Sequence, residues 1–273
     1  KNFLYDSFFY NCLSQKLLRR MEALSVVIIT YNEERNIERC IRSVVGIADE
    51  IVVVDSFSTD RTREIAGEFG AKVIKHEFEG YVQQKNYALA QATHRWVLSL
   101  DADEALSEKL RNSIKEIKFN PSADGYTMNR LTNYCGKWIR HSGWYPDKKL
   151  RMVLKKKAYW TGTNPHDKLE LFESKNIRHI PGDILHYSYY SLEDHLQQID
   201  RFMQIRAYEL FEKRIKPNVW HFYLKPLHKF FKHYFFQLGF MDGYEGYQIA
   251  RLSAFGIFIR YAKLRELWRT NNP

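Results

Sequence analysis

The sequence predicts an α/β fold, a mostly parallel sheet flanked by helices, followed by a helical extension rich in aromatic and basic residues. Three observations predict it. Short apolar runs, Leu24-Ser25-Val26-Val27-Ile28-Ile29, Ile51-Val52-Val53-Val54-Asp55 and Trp96-Val97-Leu98-Ser99-Leu100, recur with helical patterns between them. Such alternation marks a parallel sheet, and strands this apolar are buried on both faces. Each run ends in polar or acidic residues, which puts those residues at the sheet's carboxyl edge, where open α/β folds take ligands. From Arg201 to Pro273, 13 Lys and Arg stand against five Asp and Glu, so this stretch holds most of the chain's formal net charge of +10.

The elements follow in order. After the first strand, Asn32 is placed to cap a helix over about 33–45, whose apolar stripe is Ile37, Ile41, Val44 and Val45. The second strand runs into the polar loop Ser56-Phe57-Ser58-Thr59-Asp60, where Ser58 or Asp60 can cap the next helix, ending near Gly70. Lys72 to His76 is a short third strand, and a helix through Gln83 to Ala90 leads to the strand at 96–100. Ser107 caps a helix reaching about Lys118. Beyond Gly125 the pattern changes to strands of mixed polarity at 125–130, 151–154 and 158–160, around an aromatic loop from Tyr134 to Pro146. A helix is expected from about Leu192 to Arg214, ended by Pro217, and a helical stretch over 218–273 interrupted by Gly239, Gly243, Gly246 and Gly256. The domains expected are a leader or extension at 1–20, a catalytic domain at 21–200 (halves 21–120 and 121–200) and the basic-aromatic extension at 201–273.

Bulk composition narrows the class. With 273 residues and 45% hydrophobic content the chain has material for a large core. Cys12, Cys40 and Cys135 are too few and too scattered for a disulfide framework or a zinc site, and they point to a reducing compartment. The positive balance calls for an anionic partner: phosphates, a membrane surface or nucleic acid. No run of eighteen apolar residues is present to span a bilayer, and the start Lys1-Asn2-Phe3-Leu4-Tyr5-Asp6 does not read as a signal peptide.

The chemistry concentrates in Leu100-Asp101-Ala102-Asp103-Glu104. An extended Asp-x-Asp projects both acids to one side, because side chains alternate along a strand. Two hard oxygen ligands there can hold Mg²⁺ or Mn²⁺, and through it phosphates. The plain alternative is a solvated acidic turn. Taken with Val27-Ile28-Ile29-Thr30-Tyr31-Asn32-Glu33, Ile51-Val52-Val53-Val54-Asp55-Ser56 and Lys85-Asn86, the motif resembles the inverting family 2 glycosyltransferases, with their GT-A (Rossmann-like) fold, over residues 24–200. The pieces Ser56-Phe57-Ser58-Thr59-Asp60, Trp138 to Asp147 and His186-Tyr187-Ser188-Tyr189 are similar to the bacterial lipopolysaccharide core β-glucosyltransferase branch.

The resemblance implies a nucleotide-sugar donor, UDP-glucose first, and a divalent metal. Thr30, Tyr31 and Glu33 would line the nucleotide pocket, and Asp55 would take a hydrogen bond from the base or, alternatively, cap the following turn. Lys85 or Asn86 would reach donor phosphate or ribose, or lie on a solvated helix face. Asp101 would meet the ribose or the metal's water shell, Asp103 would bind the metal, and His186 would complete its shell or serve as a structural hydrogen-bonder. Departure of the nucleotide builds charge on phosphate, and inversion needs a carboxylate to take the acceptor's proton. Asp167, beside His166, is the first candidate base; its other use is a salt bridge to Lys168. Asp147 is the second. Trp138, Trp144 and Tyr145 would stack on acceptor sugars with Arg140 and His141 facing acceptor phosphates, or simply pack the loop.

The segment His221 to Phe236 mixes aromatic and basic residues. It is suited to a membrane interface, or to packing on the catalytic domain or a twin subunit in a homo-oligomer. The expectation is thus a single-hexose transferase acting on a glycolipid or oligosaccharide acceptor, cytoplasmic and peripheral on the inner membrane, without nucleic acid. The rivals are a sugar-phosphate nucleotidyltransferase, which would want a Gly-rich phosphate loop after the first strand, and a catalytically inactive adaptor at a membrane or nucleic acid, which would not need Asp55, Asp101, Asp103 and Asp167 together.

Overall fold

The computed structural model describes residues 21–163 and 166–271, the side chains of Thr163 and His166 excepted. Its first elements are β1 (Leu24–Thr30), α1 (Ile37–Val44), β2 (Glu50–Asp55), α2 (Thr62–Glu68), β3 (Lys72–Lys75), α3 (Tyr81–Gln91) and β4 (Trp96–Asp101). Then come β5 (Glu104–Leu106), α4 (Glu108–Phe119), β6 (Gly125–Tyr134), β7 (Lys137–Ile139), β8 (Asp147–Leu154), β9 (Ala158–Thr163), β10 (His166–Leu171) and β11 (Ile177–Tyr189). The chain closes with α5 (Leu192–Glu212), α6 (Val219–Phe222), α7 (Leu224–Phe231) and α8 (Gly243–Asn271). Two units are distinguished: residues up to Asn129 with Lys148–Ile184, and Arg130–Asp147 with Leu185 onward. The boundary expected at 200/201 falls inside α5.

In the first unit β1 lies between β2 and β4, parallel to both, and β2 pairs in parallel with β3. The sheet continues from β4 through β8, β6 and β11 to β5, and the β4–β8 pair is antiparallel. The expected α/β class is therefore present as a mixed sheet flanked by helices, parallel over its first four strands. Alternation along the strands fills two cores. Val26, Ile28 and Leu98 join Ile37, Ile41, Leu110 and Ile114 of α1 and α4. Val27, Val52 and Val97 join Ala88, Leu89 and Trp160 from α3 and β9. The hairpin β9–β10 pairs as a separate two-stranded sheet. The reading by apolar runs missed β5, β10 and the greater part of β11, because their polar alternation is too mixed to stand out. At Gly182 in β11 (φ 104°) a Cβ would lie 2.4 Å from the Leu110 backbone nitrogen, so the approach of α4 requires glycine there.

In the second unit Ser191 caps α5 in a reciprocal box with Asp194. Ala207 packs with Tyr261 and Leu264 of α8. Gly246 and Gly256, expected to interrupt, lie inside the 29-residue α8. Glycine weakens a helix without ending it when packing holds the rest. Gly246 is needed for contact: a Cβ there would stand 1.8 Å from the Gly239 carbonyl oxygen. No helix among the described residues is long and apolar enough to cross a membrane.

Candidate functional site

Parallel register puts the site's first residues on one edge. Thr30 pairs with Asp55, and Ile29 with Asp101, so the ends of β1, β2 and β4 coincide. Thr30 is buried, and its hydroxyl makes no hydrogen bond among the described residues. Tyr31 is exposed beside it. Asn32 does not cap α1, which begins at Ile37 without a side-chain cap. At φ 52° it turns back, and its Oδ1 accepts from the Thr59 backbone N–H at 2.8 Å. Asn32 therefore ties the loop after β1 to the loop after β2. Asp60 accepts from the backbone N–H groups of both Glu34 and Thr62, at 3.0 Å each, doing the same from the other side. Asp55 is fully buried. Its carboxylate accepts from the Ser58 N–H at 3.0 Å and from the Ser58 hydroxyl, with the Arg63 guanidinium 3.4 Å away. The structure thus gives Asp55 the turn-capping use.

The Asp-x-Asp geometry differs from the extended form expected. β4 ends at Asp101, and Ala102-Asp103 forms a tight turn into β5. The turn is bonded on both sides: Ala102 N–H donates to the Ile29 carbonyl at 3.2 Å, and Asp101 N–H to Glu104 Oε2 at 3.0 Å. Buried Arg151 donates to Glu104 Oε1 at 2.8 Å and to Asp101 Oδ2 at 3.3 Å. Glu104 was quoted with the motif but given no role, and Arg151 went unread, although a lone Arg in Leu150-Arg151-Met152-Val153-Leu154 was a signal. A cation inside a buried strand requires buried acids.

Lys85 is not on a solvated face. Its ammonium is buried 4.5 Å from the Trp160 ring centroid, 3.0 Å from Asp101 and 2.8 Å from Asp167 Oδ2. Arg151 approaches the same ring at 5.4 Å. Asp167 therefore pairs with Lys85, while Lys168 pairs with Glu170. One cation brings together Asp101 and the first candidate base, which lie 66 residues apart in sequence. Asn86 clamps the Trp160 backbone through both amide atoms, each at 2.8 Å. The His166 side chain lies outside the described residues.

A divalent cation suits the charge of this edge. Burial pushes the Glu33 carboxyl up to about 7 against the pull of its Asn36 hydrogen bond, with like-charge repulsion from Asp103, Asp60 and Asp101 added. Such a concentration of carboxylates is relieved by a hard cation. Asp103 is the ligand it offers first, with Asp101 beside it. Among the described residues no cluster of three or more His, Cys, Asp and Glu side chains forms a metal-binding group. His186 lies within β11, in the second unit.

The expected acceptor residues all belong to the second unit and are partly used by it. Trp144, partly buried, packs against Tyr134, Tyr189 and His195. Trp138 meets Tyr187 edge-on at 5.2 Å, and Arg140 lies 5.7 Å from the Tyr145 ring. His141 donates its backbone N–H to Asp242 Oδ2 at 2.8 Å, and its ring Nδ1 is 2.9 Å from Oδ1. Asp242 also accepts from Arg140 N–H at 3.2 Å. This buried acid organises the loop and was missed, although it is the first acid after Glu212 in a basic stretch. Asp147, the second candidate base, is held by Arg130 at 2.9 and 3.0 Å.

Comparison with known proteins decides the family. Residues 25–215 match the model of glycosyl transferase family 2. The chain belongs to this family. It is 34% identical to a glycosyltransferase of Rickettsia typhi over 90% of this chain and 88% of the relative. A Rickettsia bellii glycosyltransferase is likewise 34% identical, over 92% and 88%. The lipopolysaccharide core biosynthesis glycosyltransferase LpsC of Rhizobium meliloti is 26% identical over 89% of this chain and 92% of its own. Among solved structures the S. aureus TarS 1-349 complex with UDP-GlcNAc aligns with TM-score 0.45 and 15% identity, over 91% of this chain and 92% of that one. The chain is thus a glycosyltransferase, and Thr30, Asp55, Lys85 and Asp101 all lie in its first unit.

Proposed function

We propose that this glycosyltransferase moves a single hexose, with inversion, from a UDP-sugar (UDP-glucose first) to a lipopolysaccharide-core or related surface-glycan acceptor. The observation that carries the reading is the bridge Asp101–Lys85–Asp167, which sets the carboxylate edge of β4 and a candidate base on one cation. The similarity to LpsC supports the acceptor class. A cytoplasmic location, peripheral at the inner membrane, is part of the same reading, since a lipid-anchored acceptor keeps its enzyme at a membrane surface.

In this mechanism Thr30, Tyr31 and Glu33 receive the nucleotide at the end of β1, and Asp55 holds the loop that shapes the pocket. Asp103, with Asp101 beside it, would hold a divalent cation. Bound there, the cation supplies Lewis-acid stabilisation of charge on the departing diphosphate. Asp167 takes the proton of the acceptor hydroxyl as its oxygen bonds to the anomeric carbon and the carbon–oxygen bond to diphosphate breaks. Lys85 aims Asp167, and Arg151 keeps Asp101 in place. Trp138, Tyr145, Arg140 and His141 are the proposed acceptor contacts.

The test is thermal-shift binding of nucleotides and nucleotide sugars with and without Mn²⁺, followed by assay with the donor so found. A ligand that binds only the folded state raises Tm. We expect a Mn²⁺-dependent shift with UDP and one UDP-sugar that disappears in Asp103→Ala. Asp167→Asn is expected to keep donor binding while losing about 10²–10⁴-fold in kcat. Folded protein that no nucleotide stabilises would overturn the reading.

A further inference from the structure

The second unit carries a helical segment whose apolar surface is wider than the side it packs inward. From Val219 to Phe236 the chain is helical except at Tyr223, running through α6, α7 and a π-turn at Lys232–Phe236. One face packs inside the unit: Phe222 on Phe258, Phe230 and Tyr234 on Tyr247, and Lys225 on the Tyr261 hydroxyl at 2.8 Å. A flanking stripe repeats every four residues, Tyr223, Leu227, Phe231 and Phe235, and all of these are exposed, bordering the packed side where Phe230 meets Phe231 and Phe235. Trp220 (57% exposed) precedes the stripe and Phe236 (82%) ends it. Residues at that spacing share one side of a helix. A stripe of this kind ordinarily faces a core, and a helix apolar all round is ordinarily buried. Here the core-facing side is already occupied, so the outer stripe is surplus to folding. Phe240 and Met241, also exposed, extend the apolar surface beyond it. An exposed apolar surface of this extent marks an interaction site.

The second observation is charge. From Lys213 to Met241 the chain carries six Lys and Arg and no Asp or Glu. Lys213, Arg214, Lys216 and Lys232 are exposed. A symmetric dimer through this face would set one acid-free basic segment against its twin, which like-charge repulsion opposes. Nucleic acid would meet the charge but not the aliphatic Leu224, Leu227 and Met241, which offer no ring to stack on.

We propose that this face docks on an anionic bilayer surface, with the stripe from Trp220 to Phe236 lying in the plane of the headgroup–acyl boundary. The exposed Lys and Arg sit on headgroup phosphates. The inference deepens the peripheral-membrane part of the proposed function, on which it rests, by naming the surface and the lipid charge.

The experiment is co-sedimentation of the full chain with vesicles of phosphatidylglycerol and phosphatidylcholine, and of phosphatidylcholine alone. We expect binding to the anionic vesicles that is weaker by about tenfold or more on neutral ones and falls in high salt. The triple variant Leu227→Ser, Phe231→Ser, Phe236→Ser alters only exposed side chains. It should lose about tenfold or more of the vesicle binding with an unchanged Tm. Donor-induced thermal shift, read on the same preparations, reports the transfer reading separately. Anionic-vesicle binding that the triple variant leaves intact overturns the proposal. So does a wild-type dimer that the variant dissociates, or binding to single-stranded nucleic acid in place of vesicles.

Discussion

The two units handle buried polarity in opposite ways. The first buries charge and pairs it: Arg151 with Glu104 and Asp101, Lys85 with Asp101 and Asp167, Lys118 with Asp49 at 2.6 Å. The second buries histidines and keeps them neutral. Burial pushes His195 down to about 4, with its ring 3.0 Å from the Tyr134 hydroxyl, and burial with Lys229 and Lys232 pushes His233 down to about 4. The lesson is one of purpose. Paired charge fixes carboxylates at defined positions, which the proposed donor site needs. Neutral packing leaves the second unit free to expose its cations at the surface.

The largest expected effect breaks the paired side. Arg151→Met leaves Glu104 buried without its cation and should cost about 3–5 kcal/mol in denaturant unfolding. Lys232→Ser, in the second unit, should change stability by no more than ~0.5 kcal/mol. A small effect at Arg151 would remove the contrast.

The next prediction uses pH, and the signs differ between units. Glu33 has its folded pKa raised from 4.5 to about 7. The stability tied to its neutral form is complete below pH 4.5 and is lost as pH rises through 7. His195 has its folded pKa lowered from 6.5 to about 4. Its contribution is complete above pH 6.5 and is lost as pH falls toward 4. Glu33→Gln should flatten the loss between pH 4.5 and 7, and His195→Gln the loss between 6.5 and 4, each by ~1–3 kcal/mol. Hydrogen exchange followed by unit across pH checks both. Divalent cation should shrink the Glu33 effect by favouring its ionised form.

The smallest effects sharpen the packing side. Gly246→Ala must move the backbone carbonyl of Gly239 and should lower stability by about 1–3 kcal/mol. Gly256→Ala places its Cβ at ordinary contact, 3.5 Å from Ile199 and 3.7 Å from Met203, and should raise stability by up to ~1 kcal/mol. Melting temperatures of the two variants, measured together, test whether α8 tolerates substitution according to what it touches.

The sequence by itself determined the parallel half. β1, β2 and β4 are unbroken apolar runs, and burial on both faces of a sheet permits little else in such strands. Their polar ends gave the edge, and Ser191 with Asp194 marked the start of α5, because these are local effects of side-chain period and capping. Only the tertiary structure decided how the polar residues are shared out. Asn32 and Asn86 became latches and Trp144 packs against the second unit's core. Lys85 went inside, and Arg151 and Asp242 emerged as the groups that hold Asp101 and the His141 loop. Each of those outcomes depends on a partner distant in sequence. A buried polar atom is used by whatever the fold brings within hydrogen-bond reach, and residue type alone does not say what that will be.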